Sequence, residues 1–530
     1  MEKVEQIIQT PEEKIKHTQF LETISVDNVV IVGGGTAGWL SALALVAYCP
    51  YIKVTLIQPK INQVIGVGES TQPDLISLLT AAGIDQTEFM TACDASFKCG
   101  IYYEDWNEIG SSYWHPFSSL AYNSTYTVAH HYQQMILREP DKYTHEDYYD
   151  AVHPSYAMCV KNNFVDTSGN IAVHVDADKM HRFLRAKLPS VTVLEPESIE
   201  IFSEDQKIAY VECDKEKVSA DLFIDCTGFK RVLMNEIGNT ETEFYHENVE
   251  TAIFARIPYI DIEKEMVPYT KAHAQKHGWI WTTPLASRIG SGYVYTRNSC
   301  TPEEAEKEFI AYWGEDRLKG AKFNHIHFDS TPLTTAWYNN VVAIGLSAGF
   351  IEPLEATGIS WSITGITGLC KLLGRGYYDN NTRTMYNANM RNYVQDVQDF
   401  IDIHYKLSAR KDTTLWEYHS TRRHHPRLDK KLEIYKREMP AYWNKPKDTA
   451  WAFNEVSWLD VLNGYKFQYN KVVASEKDIE AATKELKRLK AVNKGRLEHG
   501  MTSYQLLKQF YDPSITSNVE ELRNKQQPGT

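Results

Sequence analysis

The chain has 530 residues, 43% hydrophobic and 24% charged, with a formal net charge of −13. That acidity speaks against a nucleic-acid partner, whose phosphates need clustered cations, and the basic run "RRHHPR" at 422–427 reads as a solvated turn. No run of about 18 apolar residues offers a membrane span, and eight scattered cysteines without a C-x-x-C pair fit reduced thiols in a cytoplasmic protein, not a disulfide framework or a metal site.

Residues 1–27 read as a charged N-terminal extension lacking the apolar core of a signal peptide. "NVVIV" at 28–32 is suited to a buried parallel strand, "GGGTAG" follows at 33–38, and an apolar helix-like run then leads to a second strand, "IKVTLIQ" at 52–58. This is a βαβ unit in which Gly33, Gly35 and Gly38 fill G-x-G-x-x-G. The first glycine turns the chain, the second admits a pyrophosphate, and the third lets helix and strand approach. Thr36 and Ala37 open the helix, whose free N–H groups face the phosphates. The second strand of such units usually ends in an acid for the ribose hydroxyls; here it ends in Gln58, whose amide can still bond a hydroxyl.

Further strands are predicted at 221–225, 251–258, 279–283, 291–296 and 341–345, and helices at 176–188, 302–313 and 357–374. Beyond about 385 the pattern is mostly helical, and 475–492 is a charged amphipathic helix capped by Ser475. In "GWIWTTP" at 278–284, Trp279 and Trp281 stand two apart and so share one strand face. "ADLFIDCTGF" at 220–229, with Gly228, is similar to a cofactor strand common in flavoproteins. "NVVAIGLSAGF" at 340–350 is similar to their second, with Leu346 after Gly345 where an aspartate is usual. These favour FAD over NAD, and the lack of a second dinucleotide fingerprint implies that electrons reach the flavin from elsewhere. The expected fold class is α/β. A Rossmann-like, flavin-monooxygenase-type body with additional β-sheet covers 28–375, and a mainly helical substrate subdomain covers 376–530.

Eight segments in order now carry a resemblance: "GGGTAGW" (33–39), "IGVGEST" (65–71), "DASFK" (94–98), "WHPF" (114–117), "WIWTTP" (279–284), "GFIEPLEATGI" (349–359), "DFIDIHYKLSARKDTTLW" (399–416) and "SWLDVLNGY" (457–465). Together they make the chain resemble the two-component flavin-dependent halogenases of the tryptophan-halogenase-like group. The resemblance implies that FADH2 from a separate flavin reductase, O2 and a halide give hypohalous acid, which a lysine guides along a tunnel to an electron-rich arene. Lys98 matches that lysine and Glu355 the essential carboxylate; the tryptophan pair matches a partition between flavin and substrate. Gly66, Gly68, Glu69 and Ser70 match a strap that contacts FAD, and Thr357 and Gly358 open a helix suited to a halide. His115, Phe117 and Trp458 match the residues that sandwich the ring.

Two departures bear on specificity. The serine of the family's F-x-x-P-x-x-S-x-G signature is Ala356, which suggests better use of bromide or iodide than of chloride. The clamp for the amino-acid end of free tryptophan has only a faint echo in "AYWNK" at 441–445, so an indole or a phenol is the expected substrate. A homo-oligomer is compatible with this reading. The alternatives are a flavin aromatic hydroxylase, which would need no halide, and a non-catalytic flavin or lipid-escort binding protein.

Overall fold

A computed structural model describes residues 23–60, 66–117, 144–153, 171–243, 248–438, 452–470, 475–497 and 500–511, with isolated positions among 135–159 and residue 440. "AYWNK" at 441–445 lies outside the described residues. The strand Asn28–Val32 lies at the centre of a six-stranded sheet, flanked by Leu222–Asp225 and Lys53–Ile57, both parallel to it. Val341–Ala343 continues the parallel set on one side and Thr192–Leu194 on the other. These strands are short and apolar because helices cover the sheet faces, leaving little need for a polar side. The helix Thr36–Tyr48 buries Trp39, Leu40, Leu43 and Leu45 and packs against Thr357–Leu373, so the glycine turn and the "EATG" helix are neighbours.

The second large sheet has seven strands, with Gly278–Pro284 in the middle between Ile289–Tyr295 and Thr270–Ala274. Its far end is Gly100–Glu104 and then Ser112–Pro116, antiparallel to each other. A small sheet pairs Glu69–Ser70 and Ser96–Lys98 with opposite edges of Ala172–Val175. The long helix Asn380–Lys406 follows, and its buried residues include Asp396, Asp399 and Asp402.

The predicted elements match closely where capping chemistry is explicit. Pro302–Trp313 starts with a proline behind a Thr301/Glu304 capping box, and Ser475 and Asp478 bond reciprocally at the start of Glu476–Leu497. The run at 422–427 is the exception, for it is no solvated turn. Arg423 and His425 are exposed, but His424 is buried and the Arg422 side chain is covered; Arg422 donates to Asn248 and Asp402, and Arg427 grips Asp399 with two bonds of 2.9 Å. Pro426 opens a helix, Pro426–Arg437. Buried carboxylates on the long helix require cations; this run supplies them for Asp399 and Asp402, and Lys431 does so for Asp396. All eight cysteines are unbridged and buried. Among the described residues no helix is long and apolar enough to cross a membrane, and no His/Cys/Asp/Glu group is arranged to hold a metal ion.

Candidate active site

The glycine turn is fitted to a pyrophosphate by what it lacks. Gly33 has φ +114°, and a β-carbon there would sit 2.2 Å from the Cys226 carbonyl oxygen; one on Gly38 would sit 1.9 Å from the Gly33 oxygen. A β-carbon on Gly35 would meet nothing within 4 Å, and Gly35 is the residue preceding the first turn of the helix. The open space therefore lies where free N–H groups point, as a dinucleotide phosphate needs. Thr36 Oγ1 lies 3.0 Å from His181 Nε2.

Gly345, at φ +71°, rests against Ala37, where a β-carbon would come within 2.6 Å. Gly228 stands open, and Phe229 and Leu346 are two of the large apolar side chains left exposed. Buried Asp225 ties these loops together, accepting from Thr227, Leu233, Met234 and Ser347. The residues present thus fit FAD: an uncrowded turn, loop glycines and apolar side chains for a flat ring.

Gln58 is not free as the sequence suggested. Its Oε1 accepts from the Trp39 indole at 3.2 Å, and its Nε2 donates to Glu195 at 2.9 Å. Glu195 follows the neighbouring strand, whose register with Lys53–Ile57 brings it beside Gln58. The acid absent from the second strand is therefore present one strand over, held by Arg185 at 2.8 and 3.1 Å.

From this end a short segment leads directly to the chemistry. Arg256 donates to the Gly66 carbonyl at 2.8 Å, and Gly68 takes φ +137°. Burial pushes the Glu69 carboxyl up to about 7, with Asp176 adding its negative charge. Ser70 is 2.8 Å from Thr270 Oγ1. The Thr71 carbonyl accepts from Lys98 Nζ at 2.8 Å, and Gln72 Nε2 donates to the Glu355 carbonyl at 2.7 Å. Residues 66–72 thus touch both members of the predicted pair.

Lys98 and Glu355 are both fully buried. Burial pushes the Lys98 ammonium down to about 7, although the charges of Glu355 and Asp74 oppose the shift. Its Nζ also lies 4.6 Å from the Phe117 ring centroid. The two are coupled through space but do not touch as an ion pair. Burial would raise the Glu355 carboxyl; His115 and then His404 outweigh it and hold the group well below the usual range. His115 Nδ1 is 2.9 Å from Oε2, Tyr103 donates to Oε1 at 2.5 Å, and His404 Nε2 is 3.2 Å from Oε1.

Strand register explains the cluster. Tyr113 and His115 alternate onto one face of Ser112–Pro116, and Tyr103 is the partner of Tyr113 on the next strand. Tyr103 stacks on Tyr113 at 4.6 Å and on His404 at 4.7 Å. Asp74, Tyr103, Tyr113 and His404 were not identified from the sequence. His404 lay inside a recognised motif, and Tyr113 two residues before a recognised histidine, so strand periodicity would have found it.

The expected sandwich is only partly assembled. His115 and Phe117 meet edge to face at 5.9 Å, beside the Lys98–Glu355 pair. Trp458 is fully buried one ring away: Phe400 lies 5.3 Å from His115 and 5.2 Å from Trp458. Trp279 and Trp281 share a face as predicted, with ring centroids 6.4 Å apart at 60°. Trp281 lies over Gly292, where a β-carbon would come 2.1 Å from its ring, and Trp279 packs on Trp106. Ala356 takes the left-handed φ of +55° and offers no side-chain cap to Thr357–Leu373, so the first-turn N–H groups of Thr357 and Gly358 have no side-chain cap.

A dinucleotide-type glycine turn and, joined to it through residues 66–72, a buried Lys98–Glu355 pair make up the candidate site, and comparison with known proteins names the kind of protein. A sequence model described as "Tryptophan halogenase" matches residues 28–478. Tryptophan 6-halogenase SttH of Streptomyces toxytricini is 31% identical over 450 residues, covering 79% of this chain and 86% of that protein. Tryptophan 7-halogenase RebH of Lentzea aerocolonigenes is 30% identical, covering 78% and 82%. The crystal structure of SttH superimposes with a TM-score of 0.80 over 90% of this chain and 99% of that one, at 28% identity. Tar14, a tryptophan C-6 flavin-dependent halogenase from taromycin biosynthesis, gives 0.82 over 92% and 100%, at 27% identity. The chain belongs to the tryptophan halogenase family and is a flavin-dependent halogenase.

Proposed function

We propose that the protein halogenates an electron-rich arene, an indole or a phenol, with Lys98 guiding the halogen and Glu355 placing it and removing the ring proton. The observation that carries this reading is the pair itself: a buried lysine poised near 7 and a buried carboxylate kept ionised, both anchored to residues 66–72. FAD, bound as FADH2 from a separate reductase, would supply the chemistry that turns O2 and a halide into hypohalous acid. Gly33, Gly35, Thr36, Ala37 and Gly38 would hold its pyrophosphate; Gln58 with Glu195 would line its ribose; Gly66, Gly68, Glu69, Ser70, Gly228, Gly345 and Leu346 would complete its cradle.

The first-turn N–H groups of Thr357 and Gly358 would hold the halide, an ion with no directional demands. Trp279 and Trp281 form the partition, so that only a small species crosses toward Lys98. Near pH 7 Lys98 exists in both forms: the ammonium donates to hypohalous oxygen and sharpens the halogen, while the amine accepts halogen directly. Glu355 lies across from it, with His115 and Tyr103 fixing its oxygens, and His115 with Phe117 presents the arene edge. Ala356 leaves the halide pocket without a hydroxyl, which favours bromide and iodide over chloride.

The test is one mixture of protein, FAD, a flavin reductase, NADH and bromide with a panel of indoles, phenols and free tryptophan, read by mass spectrometry. Brominated indole or phenol is the expected result. Oxygenated product without halide would sink the reading in favour of a hydroxylase, and competition giving chloride turnover equal to bromide would remove the halide preference.

A further inference from the structure

We propose that His404 is the proton store of this site: it receives, through Glu355, the proton lost by the halogenated ring carbon and holds it as an imidazolium. This rests on the halogenase reading above and adds to it a destination for the proton. When an arene exchanges hydrogen for halogen, the ring C–H bond breaks, its electron pair restores the aromatic ring, and the proton leaves. No electrons are gained or lost in that step, and the hydroxide released from hypohalous acid becomes water once the proton returns. Glu355 can take the proton first, but a neutral Glu355 no longer offers charge opposite Lys98 for the next turnover. A second acceptor in contact restores it.

His404 has the geometry of that acceptor. Its Nε2 lies 3.2 Å from Glu355 Oε1 yet makes no aligned hydrogen bond, although it is fully buried. On the other side, Nδ1 is 2.6 Å from the Tyr113 hydroxyl, which is 3.0 Å from the Tyr465 hydroxyl. Tyr465 donates to the His404 carbonyl at 2.5 Å, an oxygen that can only accept. With its own proton committed there, the Tyr465 oxygen must accept from Tyr113, which frees the Tyr113 oxygen to accept from Nδ1–H. In that arrangement Nε2 carries its lone pair toward Glu355, ready to accept from the carboxyl once it is protonated, while His115, 2.9 Å from the other oxygen, favours the ionised carboxylate between turnovers. Once protonated, every N–H and O–H of the chain has an acceptor: Nε2–H on Glu355, Nδ1–H on Tyr113, Tyr113 on Tyr465, Tyr465 on the carbonyl. The Tyr103 ring, stacked 4.7 Å from the imidazole at 25°, adds an electron-rich face to the cation. Burial holds the imidazole below its ordinary pKa, against the pull of Glu355. His404 acts through Glu355 and is a positioning residue in that sense.

The experiment uses the full-length protein with FAD, reductase, NADH and bromide on ordinary and perdeuterated indole and phenol. In the wild type the isotope effect is expected to stay near unity, as it does when halogen transfer and not proton loss limits the rate. His404→Gln keeps polar contacts but cannot hold a proton, so deprotonation should become limiting and the isotope effect should rise about threefold. Tyr113→Phe, which keeps the ring and removes the partner of Nδ1, should move it the same way by less, and stands in if His404→Gln does not fold. Wild-type turnover with a flat isotope response in the folded variants overturns the proposal alone. Wild-type protein that brominates neither arene overturns the parent reading and this one together.

Discussion

The two ends of the site are built on opposite plans. The nucleotide end is made of backbone, and its key residues matter for the side chains they do not have: β-carbons on Gly33 and Gly38 would strike backbone oxygens, while Gly35 faces open space. The Glu355 chamber is made of side chains, with Tyr103, His115 and His404 closing on one fully buried carboxylate and Tyr113 behind them on His404. Binding a large polyanion calls for exposed donors and room, whereas steering a small halogen calls for fixed charges that solvent cannot screen.

Substitutions should separate the two ends. The largest effect is expected in the chamber: Lys98→Ala and Glu355→Gln should each cut halogenated product by about 10²- to 10⁴-fold, with FAD affinity unchanged in fluorescence titrations. Free hypohalous acid should still form in Lys98→Ala, detectable with a dye outside the protein. At the turn, Gly35→Ala should leave the melting temperature as it is while weakening FAD binding more than about tenfold, since the new methyl meets the phosphate and no protein atom. Gly38→Ala should instead destabilise the fold, by at least the 1–3 kcal/mol order of an overpacked core. If Gly35→Ala and Gly38→Ala behave alike, the contrast drawn between open and packed glycines fails.

A third test reads Lys98 through stability. Its pKa falls from 10.5 unfolded to about 7 folded, so the unfolded chain holds more protons between those values. Stability therefore rises with pH across that window, and the penalty of burying the ammonium is fully present below about 7. Lys98→Met should melt higher than wild type at pH 7, with the gap closing toward pH 10. The smallest effect is expected at the ribose: Glu195→Gln should lower FAD affinity by a factor of ten or less, of the order of one charge-assisted hydrogen bond.

The same contrast governs what the sequence disclosed. A backbone site has to be written locally, because three glycines at fixed spacing between a strand and a helix must fall within a few residues of one another in the chain. Lys98, Glu355 and the tryptophan strand were legible through motifs for the same reason. The partners of Glu355 come from residues 103, 115 and 404, and only the pairing of two strands and the arrival of a distant helix bring them together. Gln58 shows the limit from the other side: its role depends on Trp39 and on a strand more than 130 residues later. The basic run at 422–427 was misjudged because nothing local announces that Asp399 and Asp402 are buried beneath it.

The proposed route would expose the protein to its own electrophilic halogen, and the placement of its sulfur atoms would then set where damage falls first. All eight thiols are shielded from solvent, whereas the Met385 thioether stands 56% exposed on the long C-terminal helix. Idling turnover without arene should therefore oxidise Met385 to its sulfoxide before any cysteine is lost, making this methionine a built-in gauge of leakage.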